Sequence, residues 1–595
     1  ECAAYFLSDS QEPAEMAAGT YKALMKGSKS GVETSAINYW GCQDKEKLSV
    51  LREYITNFIH PVFSYTTEQG YLPVTASSLL SSNELAIQMG LPRKSVCGFP
   101  VIEHADFGKE VISYGRKINR RELCLGNIFT MGTETNTAVN LDINSLTMHT
   151  FVTGSTGSGK SNTVYEILNQ LHNIYSIPFL VVESAKGEYK NMFGQLANVS
   201  VYGTNPKKTA LLKINPFSFP DDVHILEHLD RLVEIFNVCW PMYAAMPAIL
   251  KEAIERAYIV AGWDLVSSEN KNRHKFPNFA DILEQIEAVI NESKYSADCK
   301  GDYSGALLTR VRSLTTGLNG LIFCNDNIPD EDLFDKSVIV DLSRVGSTET
   351  KSLIMGLLVM KLNEYRMSSG RINSALSHIT VLEEAHNLLK RTSTEQSSEG
   401  SNLLGKSVEL LANSIAEMRT YGEGFVIADQ SPGLLDMSVI RNTNTKIVLR
   451  LPDRSDRELV GYAAGLNDEQ IDELSKLRRG VAAVYQNDWV EPVLVQVHKC
   501  ELDEATYNFS AVVPGTEKSN IQEQLLNLLI QGRVREKLDY SILDIEKGLG
   551  TLALSTVNLE FVEEQIAEYK EHNSLELWSD ENFRWLSRRL TDILG

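Results

Sequence analysis

The chain has 595 residues, 43% apolar and 23% charged, with 57 basic against 78 acidic residues and a net charge of −21. Those proportions exclude a wholly disordered or collagen-like chain. The acidic excess disfavours a protein that coats nucleic acid through a generally basic surface, while leaving room for a narrow basic patch such as the lining of a ring. Eight cysteines (Cys2, Cys42, Cys97, Cys124, Cys239, Cys299, Cys324 and Cys500) stand far apart with no C-x2–4-C pair. That scatter argues against a zinc knuckle or a disulfide framework and fits reduced thiols in the cytoplasm. No run of about 18 apolar residues is present, so no bilayer-spanning helix and no membrane role are expected. The first residue is Glu1, and the sequence reads as one that starts inside a longer protein.

Residues 1–120 mix short strand-like and helical patterns. Within them, 81–98 reads as a polar cap, an amphipathic helix and a Pro-marked turn. Two apolar runs around a Thr-rich turn predict a hairpin over 122–141. The pattern then changes to buried strand (148–153), helix (162–173) and buried strand (177–183), as in a parallel sheet covered on both faces. From 221 to 335 the strands stop, and Leu, Ile, Glu and Lys at helical spacing predict an inserted helical subdomain. Strands return at 338–342, 379–383, 424–428 and 446–451, separated by helices that include 348–367 and 402–419. The polar run 391–401 has neither period nor bulk and is expected to be a mobile loop. A hairpin is predicted over 480–497, and the stretch from 519 onward reads as helical. The expected organisation is an N-terminal mixed α/β region (1–120), an α/β core (121–220 and 336–500), the helical insertion (221–335) and a mainly helical C-terminal region (501–595).

Gly154, Ser155, Thr156, Gly157, Ser158, Gly159, Lys160 and Ser161 fit G-x4-G-K-S between a predicted strand and a predicted helix. Glycines let the backbone wrap closely around phosphates, and the amides of a helix start favour negative charge. Lys160 is expected to reach the β and γ phosphates of ATP and Ser161 to bind Mg2+, with Asn162 closing the nucleotide-binding set. The run ITVLEEAHNLL then places Glu383 where it would hold the Mg2+ water shell and Glu384 where it would polarise the attacking water. His386 stands open between a link to the next helix and a supporting group. Glu183, ending the strand after the P-loop helix, is a third acid that can face the phosphates. Gln430 both donates and accepts, which suits a γ-phosphate or water sensor, with Asp429 as its rival. Arg419 or Arg450 is expected to act on a neighbouring subunit's nucleotide, with Arg344 a weaker third. For phosphate tracking along DNA the candidates are Lys186 and Lys190 beside Tyr189, and Lys390 with Arg391.

In order along the chain, MHTFVTGSTGSGKSNTV, ESAKGEYKNM, LEEAHNLL, EMRTYGEGFVIADQSPGLLD and NTNTKIVLRL resemble the HerA branch of the HerA/FtsK superfamily over residues 121–500. The resemblance implies a RecA-like P-loop ATPase with a mainly parallel sheet. It also implies a homo-hexameric ring that moves double-stranded DNA through a central channel. A nuclease or other effector partner would go with it, in DNA processing or anti-phage defence. Residues 81–98 are similar to segments of conjugation-type relatives, so a conjugation or secretion motor stays open. A nucleotide-gated ring that scaffolds an effector enzyme is the third reading.

Overall fold

The computed structural model describes every residue except 1, 27–36, 42, 61, 76, 91–93, 98–99, 115–120, 241, 271–274, 393–402, 510–513, 535–540, 553, 576, 578–582 and 595. The loop expected at 391–401 therefore lies almost wholly outside the described residues. Two compact units divide between Glu103 and His104. The first contains the helices Gln11–Lys26, Lys45–Thr56 and Ser82–Gln88 and an antiparallel hairpin, Val62–Thr67 with Gly70–Thr75. The division comes earlier than the expected boundary at 120, because the backbone after it is stitched into the second unit. Gly108 N donates to Pro492 O (3.0 Å), Tyr114 N to Asp488 O (2.9 Å), and Val490 N to Ile112 O (2.8 Å).

The second unit is built on one 12-stranded sheet. In chain order its strands are β1 (Glu122–Thr130), β2 (Thr133–Asp142), β3 (Thr150–Thr153), β4 (Phe179–Glu183), β5 (Val199–Gly203), β6 (Ala210–Leu211), β7 (Ser337–Asp341), β8 (His378–Glu383), β9 (Glu423–Asp429), β10 (Thr445–Val448), β11 (Val481–Gln486) and β12 (Val493–Val497). Their spatial order is β2-β1-β12-β11-β10-β3-β9-β8-β4-β7-β5-β6. From β10 to β6 all neighbours run parallel, and β11, β12, β1 and β2 extend the sheet antiparallel. Central strands with both faces covered must be apolar at every position, which is why the runs FLVVE and HITVLE do not alternate in character. Their side chains still alternate in direction. Phe151, Leu180, Val182, Leu382 and Ile427 enter one core, and Val152, Phe179, Val181, Val381 and Val426 enter the other. This is a RecA-like α/β core.

Helix α1 (Lys160–Asn173) covers the second face through Val164, Ile167, Leu168 and Leu171. The first face is covered by α5 (Thr348–Ser368), α6 (Leu403–Glu417) and the inserted helices, chiefly α2 (Ile225–Cys239), with α3 (Met246–Val260) and α4 (Phe279–Glu292) beyond. Leu229, Leu232 and Phe236 of α2 share one core with Phe151, Leu180 and Leu353. Burying each such side chain contributes ~1.5–3 kcal/mol, so the insertion is a layer of the ATPase core rather than a separate subdomain. It also carries a two-residue hairpin, Trp263–Asp264 with Glu269–Asn270, that the helical pattern does not announce. Two strand limits differ from expectation. The strand expected from 148 starts at Thr150, because Asn144–Met148 wind a 3-10 turn and His149 takes φ 64°. The strand expected to reach 451 stops at Val448, so Arg450 lies on the turn after it.

The C-terminal helices Pro514–Gln531, Ile542–Gly548, Thr556–His572 and Phe583–Leu594 form their own core around Leu528, Ile545, Val562 and Leu586. They dock on the insertion through the capping box of α4. Asp281 Oδ2 accepts from the Asn278 amide (2.9 Å) and the Thr556 hydroxyl (3.0 Å), and Oδ1 accepts from the Thr556 amide (2.5 Å). Burial outweighs these donors and pushes the Asp281 carboxyl up to about 7. The unfolded value is about 3.9. The folded state therefore holds a proton that the unfolded state has lost, and stability falls as pH rises from about 4 to 7. Asp281→Asn is expected to flatten that part of a melting-temperature-against-pH profile. An unchanged slope would remove Asp281 as its source.

Candidate active site

The loop between β3 and α1 takes its shape from two glycines in the left-handed region, Gly157 (φ 77°) and Gly159 (φ 113°). A Cβ at Gly154 would lie 2.5 Å from Ser158 Oγ, and one at Gly159 would lie 3.2 Å from Gly480 N. The loop is pinned from outside. Ser155 N and Oγ both donate to Arg450 O (2.9 and 3.0 Å), and Gly480 N donates to Ser158 O (2.8 Å). Ser158 Oγ is buried without a hydrogen-bond partner among the described residues. A hydroxyl left so costs free energy that a phosphate oxygen would recover. The loop residues therefore fit a nucleoside triphosphate.

Parallel pairing of β8 with β9 sets Glu383 opposite Ala428, so both strand ends open beside the loop. Lys160 Nζ lies 3.2 Å from Glu383 Oε1 and 3.2 Å from Glu384 Oε1, with all three groups buried. Gln430 joins them. Its Nε2 donates to Glu384 Oε1 (2.5 Å), and its Oε1 accepts from the Thr156 hydroxyl of the loop (2.7 Å). Burial works against the Lys160 ammonium, but the two carboxylates outweigh it and hold its pKa above the ordinary lysine value. Burial, reinforced by Glu384, raises Glu383 in spite of Lys160. Two carboxylates facing one ammonium leave an excess of negative charge, a setting that attracts a divalent cation. Ser161, half-buried in the first turn of α1, and Glu383 are the residues that could hold Mg2+.

Glu384 adopts φ 51°, ψ 52°, a left-handed conformation costing ~1–3 kcal/mol in a non-glycine residue. It is over-determined locally. Glu384 N donates to Ala428 O (2.8 Å), Asn387 N to Glu384 O (3.0 Å), and Asn387 Nδ2 to Glu384 O (2.9 Å). The turn brings His386 back onto Asp429, a pair whose meeting the motif alone does not announce. Asp429 is fully buried, and its Oδ2 accepts from His386 N and from His386 Nδ1, both at 2.9 Å. The hydrogen bond to Asp429 holds the His386 pKa above its ordinary value. The sequence signal for this pair is an acid closing an otherwise apolar run, GFVIAD, beside EEAH.

Other predicted residues lie elsewhere or are committed elsewhere. Glu183 is buried and does not reach Lys160's hydrogen bonds; its oxygens accept from Glu188 N (2.7 Å) and Tyr189 N (3.1 Å), so it fastens the turn after β4. Burial first, then Glu383, pushes it up to about 8 against those amides. Asn162 also turns away from the loop: Nδ2 donates to His498 O (2.8 Å), and Oδ1 accepts from Cys500 N (3.0 Å). Of the DNA-contact candidates, Tyr189 is buried and Lys190 is ion-paired with buried Asp341, while Lys186, Lys390 and Arg391 are exposed. Arg344, Arg419 and Arg450 are all exposed. Arg450 sits on the residue whose carbonyl holds Ser155, whereas Arg419 lies in the 3-10 turn Met418–Tyr421 before β9.

Residues 123–362 match the family described as the central domain of the helicase HerA. A curated relative is the DNA double-strand break repair helicase HerA of Sulfurisphaera tokodaii, 23% identical over 391 residues, 63% of this chain and 71% of that protein. The protein of the same name from Sulfolobus acidocaldarius is 26% identical over 379 residues, 62% and 68% of the two chains. The chain is a P-loop ATPase that is similar to HerA over this central part. Among solved structures, VirB4 of Thermoanaerobacter pseudethanolicus aligns with 63% of this chain and 96% of its own, at 16% identity and a TM-score of 0.49. The family match to the HerA-like chain ends within α5. It includes the P-loop and the inserted helices, while Glu383, Glu384, Asp429 and Gln430 lie beyond it.

Proposed function

We propose that this HerA-like ATPase is a motor that hydrolyses ATP to move double-stranded DNA, working as a homo-hexameric ring with a nuclease or other effector in DNA processing or anti-phage defence. One observation carries the reading: Lys160, Glu383, Glu384, Gln430 and Thr156, from three separate segments, converge within hydrogen-bonding distance at one end of the parallel strands. Ligands of open α/β sheets bind at that end. In this reading Lys160 and the loop amides hold the phosphates. Mg2+, kept by Ser161 and the water shell of Glu383, supplies charge neutralisation at the β and γ oxygens when bound. Glu384 orients the attacking water, and Gln430 links its carboxylate to the loop, so occupancy of one is felt by the other.

The two arginines take different roles in this reading. Arg450, whose carbonyl holds Ser155, is assigned to its own nucleotide. Arg419, before β9 at the strand end away from Gln430, is assigned to a neighbour's phosphates. Among the described residues no helix is long and apolar enough to cross a membrane. The test is sedimentation with ATP and Mg2+, combined with an ATPase assay with and without duplex DNA. The expected outcome is a hexamer whose turnover rises severalfold on DNA. A fully active monomer indifferent to DNA would overturn the proposal. Recruitment to membranes would instead favour a secretion motor. Biological function surviving loss of hydrolysis would favour a scaffold.

A further inference from the structure

We infer that His386 and Asp429 form a positioning pair that keeps Glu384 aimed at the reacting water. This rests on the reading of Glu384 given above. Glu384 is held on one side by Lys160 (3.2 Å) and Gln430 (2.5 Å), both at Oε1. Its other oxygen, Oε2, lies 3.5 Å from His386 Nδ1. Lys160 has three N–H donors to divide among Glu383, Glu384 and phosphate, so its hold on Glu384 weakens when phosphate takes a share. The backbone of Glu384 is fixed, but its side chain projects from a turn rather than from the regular strand, and a second restraint on the carboxylate keeps it in place.

His386 is placed to supply it. Its ring cannot rotate freely, because Nδ1 and its own backbone N–H both donate to the same Asp429 oxygen, each at 2.9 Å. Asp429 is fixed in turn: it is fully buried on β9, and its other oxygen accepts from Ser431 N at 2.8 Å. The orientation of Glu384 thus traces back to the central strand of the sheet. Gln430, next in sequence to Asp429, approaches the same carboxylate from the opposite side. The pair acts through Glu384, 3.5 Å from His386 Nδ1, so its role is support of the acting carboxylate.

The experiment compares His386→Ala, His386→Asn and Glu384→Gln in the full chain, measuring kcat, nucleotide affinity with a fluorescent ATP analogue, and melting temperature. The Asn amide can place an N–H where Nδ1 stands. His386→Ala is expected to lower kcat ~10–100-fold with nucleotide affinity and melting temperature held near wild type, and His386→Asn to recover most of the loss. Wild-type kcat in His386→Ala alongside an inactive Glu384→Gln overturns the pair alone. So does an equal loss in both His386 variants that tracks a fall in melting temperature. Full hydrolysis by Glu384→Gln would instead overturn the reading of the site.

Discussion

Lys160→Ala is expected to lower ATP turnover by at least ~100–1,000-fold, the scale for removing a preorganised charge from a transition state. Two effects add. The γ phosphate loses its cation, and the empty protein loses the group that neutralises Glu383 and Glu384. Removing one partner from a buried ionic cluster costs about 3–5 kcal/mol, so the melting temperature should also fall. That fall has a pH sign. Without the ammonium, the buried Glu383 carboxyl, already raised, titrates further above its value in the unfolded chain. Folding then retains protons, and the stability deficit grows as pH rises through the raised folded values. A coupled ATPase assay and melting curves at two pH values check both parts. Turnover near wild type would remove Lys160 from the site.

Glu384→Gln should abolish hydrolysis, by ~100–10,000-fold for loss of a general base, without loss of nucleotide binding. The amide keeps a hydrogen bond to Gln430 available, so the link to the loop survives. It also removes one of the two negative charges on Lys160. One fewer carboxylate then competes with phosphate for the ammonium's three N–H donors, so the variant should bind ATP at least as tightly as the parent. Turnover and filter binding with labelled ATP separate the two effects. Weakened binding with turnover intact would reverse the roles assigned to Glu383 and Glu384.

The strand–loop–helix around Lys160 and the strand ending in Glu383 were legible from local pattern, because buried parallel strands are apolar throughout and a phosphate loop needs its glycines. Gln430 was legible by its place after a third such strand. Less could be read where a residue's role depends on what folds against it. Glu183 and Asn162 are polar, close in sequence to the motifs and correctly aligned in direction. Yet Glu183 spends its oxygens on the turn at 188–189, and Asn162 is spent on the backbone at 498–500, a segment whose arrival no local pattern announces. Lys190 fails as a surface cation for the same reason, since Asp341 comes from β7, about 150 residues downstream.

Residue order alone was enough to establish that a triphosphate loop, two acids and a glutamine would meet on a parallel sheet, since each is tied to its own strand by short-range geometry. Folding in three dimensions settled which groups meet side by side. It set Asp429 beneath His386, gave Arg450 to its own loop, placed Arg419 at the other end of its strand, and made the inserted helices one face of the core. The physical reason is that hydrogen-bond and ion-pair partners are chosen by register between strands distant in sequence. A shift of one residue between β8 and β9 would part His386 from Asp429 and Glu384 from Gln430.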